Sequence, residues 1–324
     1  MANYALRRFL NAIPILLGIT VISFLIINMA PGNPLSGMME GSDSIMSTVD
    51  QESLLKEYGL DQPLHVQYWK WLSGMVRGDF GTSFIKHEPV RDLILNRLPY
   101  TLMLTVTSFL VAILIAVPLG VLCAVKAHSR FDQIVSALSF VGVSIPVFWF
   151  GLMLIMLFSV KLGWLPSGGL MTINAPFSMS DRIIHLVMPV CAMASHEIAS
   201  WLRYVRSSML EVIGQDYVRT AKAKGLLKGR VLMLHALRNA LIPLVTLLGL
   251  SLPSFFAGAL ITESIFSIPG MGRLFIDAAF QRDYPVIFGI TTIGAFLHVF
   301  GNLLADLVYA VLDPRVSFSQ KAKG

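Results

Sequence analysis

His196 and Glu197 are adjacent side chains whose types invite chemistry. They open the zinc-protease pattern H-E-x-x-H, in which two histidines one helical turn apart hold a metal. The second histidine would stand at position 200, which is Ser200, so that motif is absent. His185 lies on the same apolar stretch, but its distance from His196 along a straight helix is about 16 Å, too far to share one ion. No G-x-S-x-G elbow, no pair of membrane aspartates and no G-x4-G-K-[ST] phosphate loop occurs. The chemistry left to this chain is recognition and charge placement. Three groups of residues carry it: the polar His196, Glu197 and Asp306 in apolar surroundings, the basic stretch from Arg203 to Arg238, and the knot Pro269-Gly270-Met271-Gly272-Arg273.

The elements that position these groups are membrane helices. Of 324 residues 55% are hydrophobic and 14% charged, and the mean hydropathy is +0.70. Soluble domains carry about 25% charged residues. The pI near 9.4 then points to loops facing anionic lipid and protein partners rather than nucleic acid. Cys123 and Cys191 fall in apolar runs and read as buried free thiols. Apolar periodicity and length predict six spans: Phe9–Ala30, Leu98–Val125, Ile134–Val160, Ile183–Leu202, Ala240–Ile261 and Pro285–Leu312. Pro146 is expected to kink the third. Glu197 in the fourth costs about 2.5–3.5 kcal/mol at mid-membrane, so it should face protein or water. Pairing with a neighbouring span and a place on a substrate path remain equally open for it.

Between the spans, Pro31 to Arg97 forms the longest polar region. Thr48-x-x-Gln51 reads as a capping box for a helix that Gly59 stops, and Pro63–Val76 as an aromatic-rich helix at headgroup level. Met271, Leu274, Phe275, Ala278 and Ala279 repeat at helical spacing beyond the knot. The segment Arg203–Arg238 holds eight Lys/Arg and two acids, Glu211 and Asp216. Within it Asp216 to Lys224 reads as a short helix, acid first and Lys222 and Lys224 last, with Gly225 just beyond. Counted over ends and loops, the side bearing both termini holds 15 basic residues and four acids, and the opposite side 10 and 13. That asymmetry places both termini in the cytoplasm.

At the basic stretch the sequence resembles the membrane permeases of binding-protein-dependent ABC importers. Their cytoplasmic loop carries E-A-A-x3-G followed by I-x-L-P. Here Arg219 and Thr220 replace the first two residues, Ala221 and Gly225 match, and His235-Ala236-Leu237-Arg238 stands where I-x-L-P belongs. These departures are similar to the oligopeptide, dipeptide and nickel branch, which reads Q-D-Y-V-R-T-A-x-A-K-G and H-A-L-R-N-A. Ala30-Pro31-Gly32-Asn33-Pro34, Gly59-Leu60-Asp61-Gln62-Pro63, Gly78-Asp79-Phe80-Gly81-Thr82-Ser83, Phe266-x-x-Pro269-Gly270-Met271-Gly272, Arg282-Asp283-Tyr284-Pro285-Val286 and Asp313-Pro314-Arg315 extend the likeness over nearly the whole chain.

The resemblance implies an all-α polytopic membrane protein of the type I ABC importer permease fold. Residues 1–31 would be the first helix, 32–97 an extracytoplasmic insert, 98–312 the permease core with coupling loop 203–238, and 313–324 a cytoplasmic tail. It also implies a bacterial inner-membrane location, a second homologous permease, two cytoplasmic ATPase subunits carrying ATP and Mg, and an extracytoplasmic substrate-binding protein. No cofactor is expected on this chain. Asp216, Tyr217, Arg219, Thr220, Ala221, Lys222, Lys224 and Gly225 would form the helix that engages the ATPase. Pro269, Gly270, Met271 and Arg273, together with the 32–97 region, are candidates for contact with the binding protein. Peptide import is the expected function. A nickel or metal-chelate importer of the same branch is the alternative, and an ion-driven transporter using Glu197 and Asp306 as relays is the rival from another class.

Overall fold

Prolines and small residues decide where this apolar chain breaks and where its helices touch. The computed structural model describes residues 2–29, 56, 59, 61–241, 244, 247, 251, 255 and 259–312. In chain order the main helices are α1 (Ala2–Met29), α2 (Leu64–Val76), α3 (Val90–Val125), α4 (Arg130–Ser144) and α5 (Val147–Leu154). There follow α6 (Met179–Ile213), α7 (Asp216–Ala223), α8 (Leu260–Ile265), α9 (Met271–Gln281) and α10 (Tyr284–Leu312). Two π-helical segments, Ile155–Lys161 and Val231–Leu237, extend α5 and follow α7. Among the described residues the only β-pairing is a single antiparallel bridge between Thr82 and Pro89.

Three of these helices are long and apolar enough to cross a membrane: α3, α6 and the Tyr284–Leu303 part of α10. A fourth span results if α4 and the α5–π segment count as one, although they meet at 99°. The expected kink at Pro146 is thus a break. Proline lacks an N–H and pushes the residue before it out of the helical region. Ile145 accordingly adopts φ −80°, ψ 123°, which ends α4 at Ser144. α1 carries a shorter apolar stretch, Ile13–Ile26. Most of the expected fifth span, Ala240–Ile261, and the expected capping box at 48–51 lie outside the described residues.

Two other expected boundaries move. α3 begins at Val90, so the end of the region assigned to the insert is the first two turns of a span helix. α6 runs on to Ile213, so the polar residues Arg203 to Glu211 continue the span helix. Hydropathy falls before the helix ends, because charged residues suit a helix that projects beyond the apolar layer.

Among the described residues α3 against α6 forms the most extensive helix interface. Lipid offers no hydrophobic drive between helices, so close approach through small residues supplies the packing. Gly120 shows this directly: a Cβ there would lie 2.7 Å from the Val205 Cβ and 3.0 Å from the Leu202 carbonyl. Ala112, Ala116, Ala192, Ala194 and Ala199 are also buried, Ala199 close to Gly142 of α4 and Ala192 close to Gly151 of α5. Phe109 meets Trp201 edge to face at 5.6 Å. Of the two cysteines, Cys123 is buried and Cys191 is exposed, correcting the expectation for Cys191, which sits on the outward side of α6.

At the other end of the molecule, α1 packs on α10. Phe24 stacks on Phe288 at 5.4 Å and Tyr68 of α2 meets Phe24 edge-on. Tyr68 and Trp71 of α2 are therefore anchored to helix packing, whereas Trp69 is exposed and suits an interface. Ser83 donates to the Asp283 carboxylate, and the Phe84 N–H donates to it at 3.0 Å. Asp283 is 3% exposed. Two motifs separated by some two hundred positions, Gly78–Ser83 and Arg282–Val286, are one structural unit.

Candidate functional site

The short basic helix α7 forms as the sequence predicts, and its C-terminal stop is a Schellman turn. The Gly225 N–H donates to Lys222 O at 3.0 Å and the Leu226 N–H to Ala221 O at 3.4 Å. Gly225 has φ +76°, the left-handed conformation this motif requires. Leu226 then packs beside Val218, Ala221 and Val231. Val218 and Ala221 are 1% and 6% exposed, so they hold the helix down while the rest of it faces outward. Tyr217, Arg219, Thr220, Lys222 and Lys224 are all exposed.

This division explains the departures from the family pattern. Arg219 and Thr220, where the acid and the first alanine are replaced, point to solvent. Ala221 and Gly225, which match, are constrained by burial and by backbone conformation. The Arg219–Asp216 ion pair, 3.6 Å long, has side chains 74% and 97% exposed, and such pairs are largely screened by water. Thr220 donates to the Asp216 carbonyl at 2.9 Å.

Not every cation of the basic stretch is available at the surface. Arg206 grips Asp132 through Nε at 2.6 Å and Nη2 at 2.8 Å. Asp132 is 2% exposed and also accepts from the His128 N–H and from Ser136. Arg203 lies over the Phe140 ring at 5.4 Å. The Arg206–Asp132 clamp fastens α6 to α4. Sequence reading missed it, although Ser129-x-x-Asp132 at the start of α4 is a capping pattern that signals an ordered acid; the Asp132 N–H bonds back to Ser129.

Midway along α6, His196 and Glu197 line a cavity of about 380 Å³ with Thr105, Ser108, Met193 and Phe255. Glu197 accepts from the Trp201 indole at 3.1 Å. Asp306 belongs to α10, and its side chain lies outside the described residues. His185 is separate from this cavity: it is buried near the start of α6 and its Nδ1 is 2.9 Å from the Asp181 carbonyl. Among the described residues no three His, Cys, Asp or Glu gather closely enough to hold a metal ion.

The knot at 266–273 is organised by a residue the sequence reading did not single out. Glu263 is fully buried, and its carboxylate accepts from Thr101 Oγ1 at 2.8 Å and from the Arg273 N–H at 3.0 Å. Thr101 Oγ1 in turn accepts from the Met271 N–H at 2.8 Å. The carboxylate thus caps the start of α9, where unpaired N–H groups and the helix dipole favour a negative charge. Gly270 and Gly272 are required by this arrangement. A Cβ on Gly270 would fall 2.3 Å from the Glu263 carboxyl carbon, and one on Gly272 would fall 2.6 Å from the Leu260 Cα. Met271 and Gly270 point inward, leaving Pro269 and Arg273 partly exposed at the tip. An acid at the end of an apolar run, seven residues before a glycine pair, is the signal that could have revealed it.

The described residues combine apolar helices long enough to cross a membrane, a short basic helix with a Schellman stop and a tip locked by Gly270 and Gly272. Residues 116–318 match the family of binding-protein-dependent transport system inner membrane components, and residues 1–105 match the N-terminal model of the same membrane component. The chain belongs to this family. The oligopeptide transport system permease protein AppB of Bacillus subtilis (strain 168) is 51% identical over 319 residues, 98% of this chain and 100% of the relative. The dipeptide transport system permease protein DppB of Escherichia coli (strain K12) is 40% identical over 98% of this chain and 99% of its own length. The glutathione transport system permease protein GsiC of Salmonella paratyphi A (strain ATCC 9150 / SARB42) is 37% identical over 98% and 100%. Among solved structures, the inward-facing MetNI methionine ABC transporter shares the fold with TM-score 0.55 and 18% identity, over 68% of this chain and 96% of that one.

Proposed function

We propose that this chain is one permease of an ATP-driven importer of di- and oligopeptides in the bacterial inner membrane. The full-length relatives named for oligopeptides, dipeptides and glutathione support the substrate class and leave the metal-chelate alternative without a comparable argument. The partners are a second homologous permease, two cytoplasmic ATPases holding ATP and Mg, and an extracytoplasmic binding protein. The chain would cross the membrane six times with both termini in the cytoplasm.

The observation that carries the mechanism is α7, held by Val218 and Ala221 and presenting an exposed polar face. A short helix pinned on one side and free on the other transmits a push, provided both ends are fixed. The Schellman turn at Gly225 fixes one end. The other is continuous with α6 through the Ile213–Asp216 corner. Movement of an ATPase groove around Tyr217, Arg219, Thr220, Lys222 and Lys224 then reaches α6, and with it the cavity at His196 and Glu197. Coupling of this kind needs two states that nucleotide biases differently. At the far side, Pro269 and Arg273 are the parts of the tip open to the binding protein, while Met271 holds the tip in place.

The test is trialanine uptake in proteoliposomes containing the complete complex, with Ala221→Glu and Gly225→Asp variants. Ala221→Glu forces a charge into a site 6% exposed, and uptake should fall at least tenfold while the permeases remain in the membrane. Uptake that persists with the ATPase subunits omitted overturns the reading and supports an ion-driven carrier.

A further inference from the structure

We infer that the cavity beside Glu197 is a way-station for the primary ammonium group of the peptide cargo, with the Glu197 carboxylate as its counter-ion. This inference rests on the peptide-import reading above.

The two hydroxyls on the α3 wall already donate their protons. Thr105 bonds the Thr101 carbonyl at 2.9 Å and the Phe255 carbonyl at 3.1 Å, and Ser108 bonds the Leu104 carbonyl at 2.7 Å. A hydroxyl that donates to backbone retains lone pairs, so each can only accept from a ligand. On the opposite wall, Glu197 uses Oε2 for the Trp201 indole, and Oε1 has no partner among the described residues. His196 has no hydrogen-bond partner among the described residues either. Among the described residues no lysine or arginine lines the cavity. Among the described lining residues the α3 hydroxyls can therefore only accept and Glu197 is the one carboxylate; His196 and Thr262 can also donate, so it is the carboxylate's charge that favours an N–H-bearing cation.

Size and position agree with that chemistry. The volume of about 380 Å³ lies at the lower end of ordinary small-ligand sites, which run from about 300 to 1,000 Å³. Much of the remaining wall is apolar, with Met193, Val147 and Leu260, which suits side chains of varied shape. Glu197 is close to the midpoint of the 35-residue α6. Because α6 projects beyond the apolar layer from Arg203 on, Glu197 lies toward the Arg203 end of its apolar part. A carboxylate in apolar surroundings is costly unless it meets water or a cation, so an ammonium ion arriving there gains attraction that water gives weakly. Ala259, Leu260, Ile261 and Thr262 line the cavity and lead directly into Glu263 and the tip, so the cavity and the docking end share one segment.

The experiment uses the reconstituted complex with its binding protein and compares trialanine with propionyl-Ala-Ala, which lacks only the amino group. Binding-protein affinity for each peptide is measured separately, and uptake is read at equal occupancy. The wild type should transport trialanine at least tenfold faster, and Glu197→Gln should bring the two rates within twofold. Glu197→Asp keeps the charge and should keep the preference. Propionyl-Ala-Lys separates the amino terminus from a side-chain ammonium: a rate near that of trialanine means either position is accepted, and a rate near that of propionyl-Ala-Ala means the amino terminus alone. Should Glu197→Gln fail to assemble, Met193→Lys places a rival cation in the cavity and must slow trialanine more than propionyl-Ala-Ala. An unchanged preference in Glu197→Gln, or in Met193→Lys, overturns the site. A wild-type complex that takes up none of these peptides defeats the peptide-import reading itself and is recognised before any variant is made.

Discussion

Gly270 and Glu263 should behave as one unit, and a double-substitution cycle exposes it. Replacing Glu263 by alanine removes a carboxylate that accepts from Thr101 Oγ1 and from the Arg273 N–H at 2.8 and 3.0 Å. Hydrogen bonds to a charged group are worth about 1.5–3 kcal/mol each. The desolvation of a fully buried carboxylate offsets part of that, so a net loss of about 3 kcal/mol is expected. Gly270→Ala acts by a different route. Its Cβ would lie 2.3 Å from the Glu263 carboxyl carbon, and overpacking of this kind costs about 1–3 kcal/mol. With Glu263 already alanine, the obstructing atoms are gone and Gly270→Ala should cost almost nothing further. The two losses are thus strongly non-additive, with a coupling of about 1–3 kcal/mol. Heat-step aggregation of the complex, followed by size-exclusion chromatography, reads this as a midpoint shift of about 2–4 °C per kcal/mol. Equal penalties for Gly270→Ala in the two backgrounds would refute the packing described here. Glu263→Gln, which keeps the bulk, should leave the Gly270→Ala penalty in place and serves as the control.

Gly225→Ala tests backbone conformation alone, because no atom lies within 4 Å of the added methyl while φ is +76°. A cost of about 1–2 kcal/mol should appear as a lower thermal midpoint, with uptake reduced less than in Ala221→Glu. Arg219→Ala, on the exposed face, should leave that midpoint unchanged, and any loss in ATP-driven uptake then reports contact with the ATPase. Asp283→Asn weakens the hold on Ser83 and Phe84 and should make the 78–88 loop more susceptible to proteolysis from the outer side of intact vesicles.

Much of the chain's local architecture was legible in the order of its residues. Apolar length located α3, α6 and α10, since a span must satisfy its own backbone and therefore becomes a helix. Acid before base and glycine after located α7, because caps and dipole are local properties. Pro146 marked the break between α4 and α5, but a local rule cannot tell a kink from a 99° bend; the neighbours that take up the helix ends settle that. The expected ends of α3 and α6 were short because hydropathy registers the apolar layer, and helices outrun it.

Tertiary structure decided which charges are free and which are structural. Arg206 and Arg219 look alike in the basic stretch, yet one clamps Asp132, 74 positions away, and the other faces water. Glu263 and Glu197 each follow an apolar run, yet one is fully enclosed by hydrogen bonds and the other lines a cavity. Ser83 and Asp283 carry no local hint that they meet. The sequence by itself determined helices, caps and family, because those follow from composition and from neighbours along the chain. Which polar groups remain able to bind something depended on contacts between distant segments, which arise only when the helices pack.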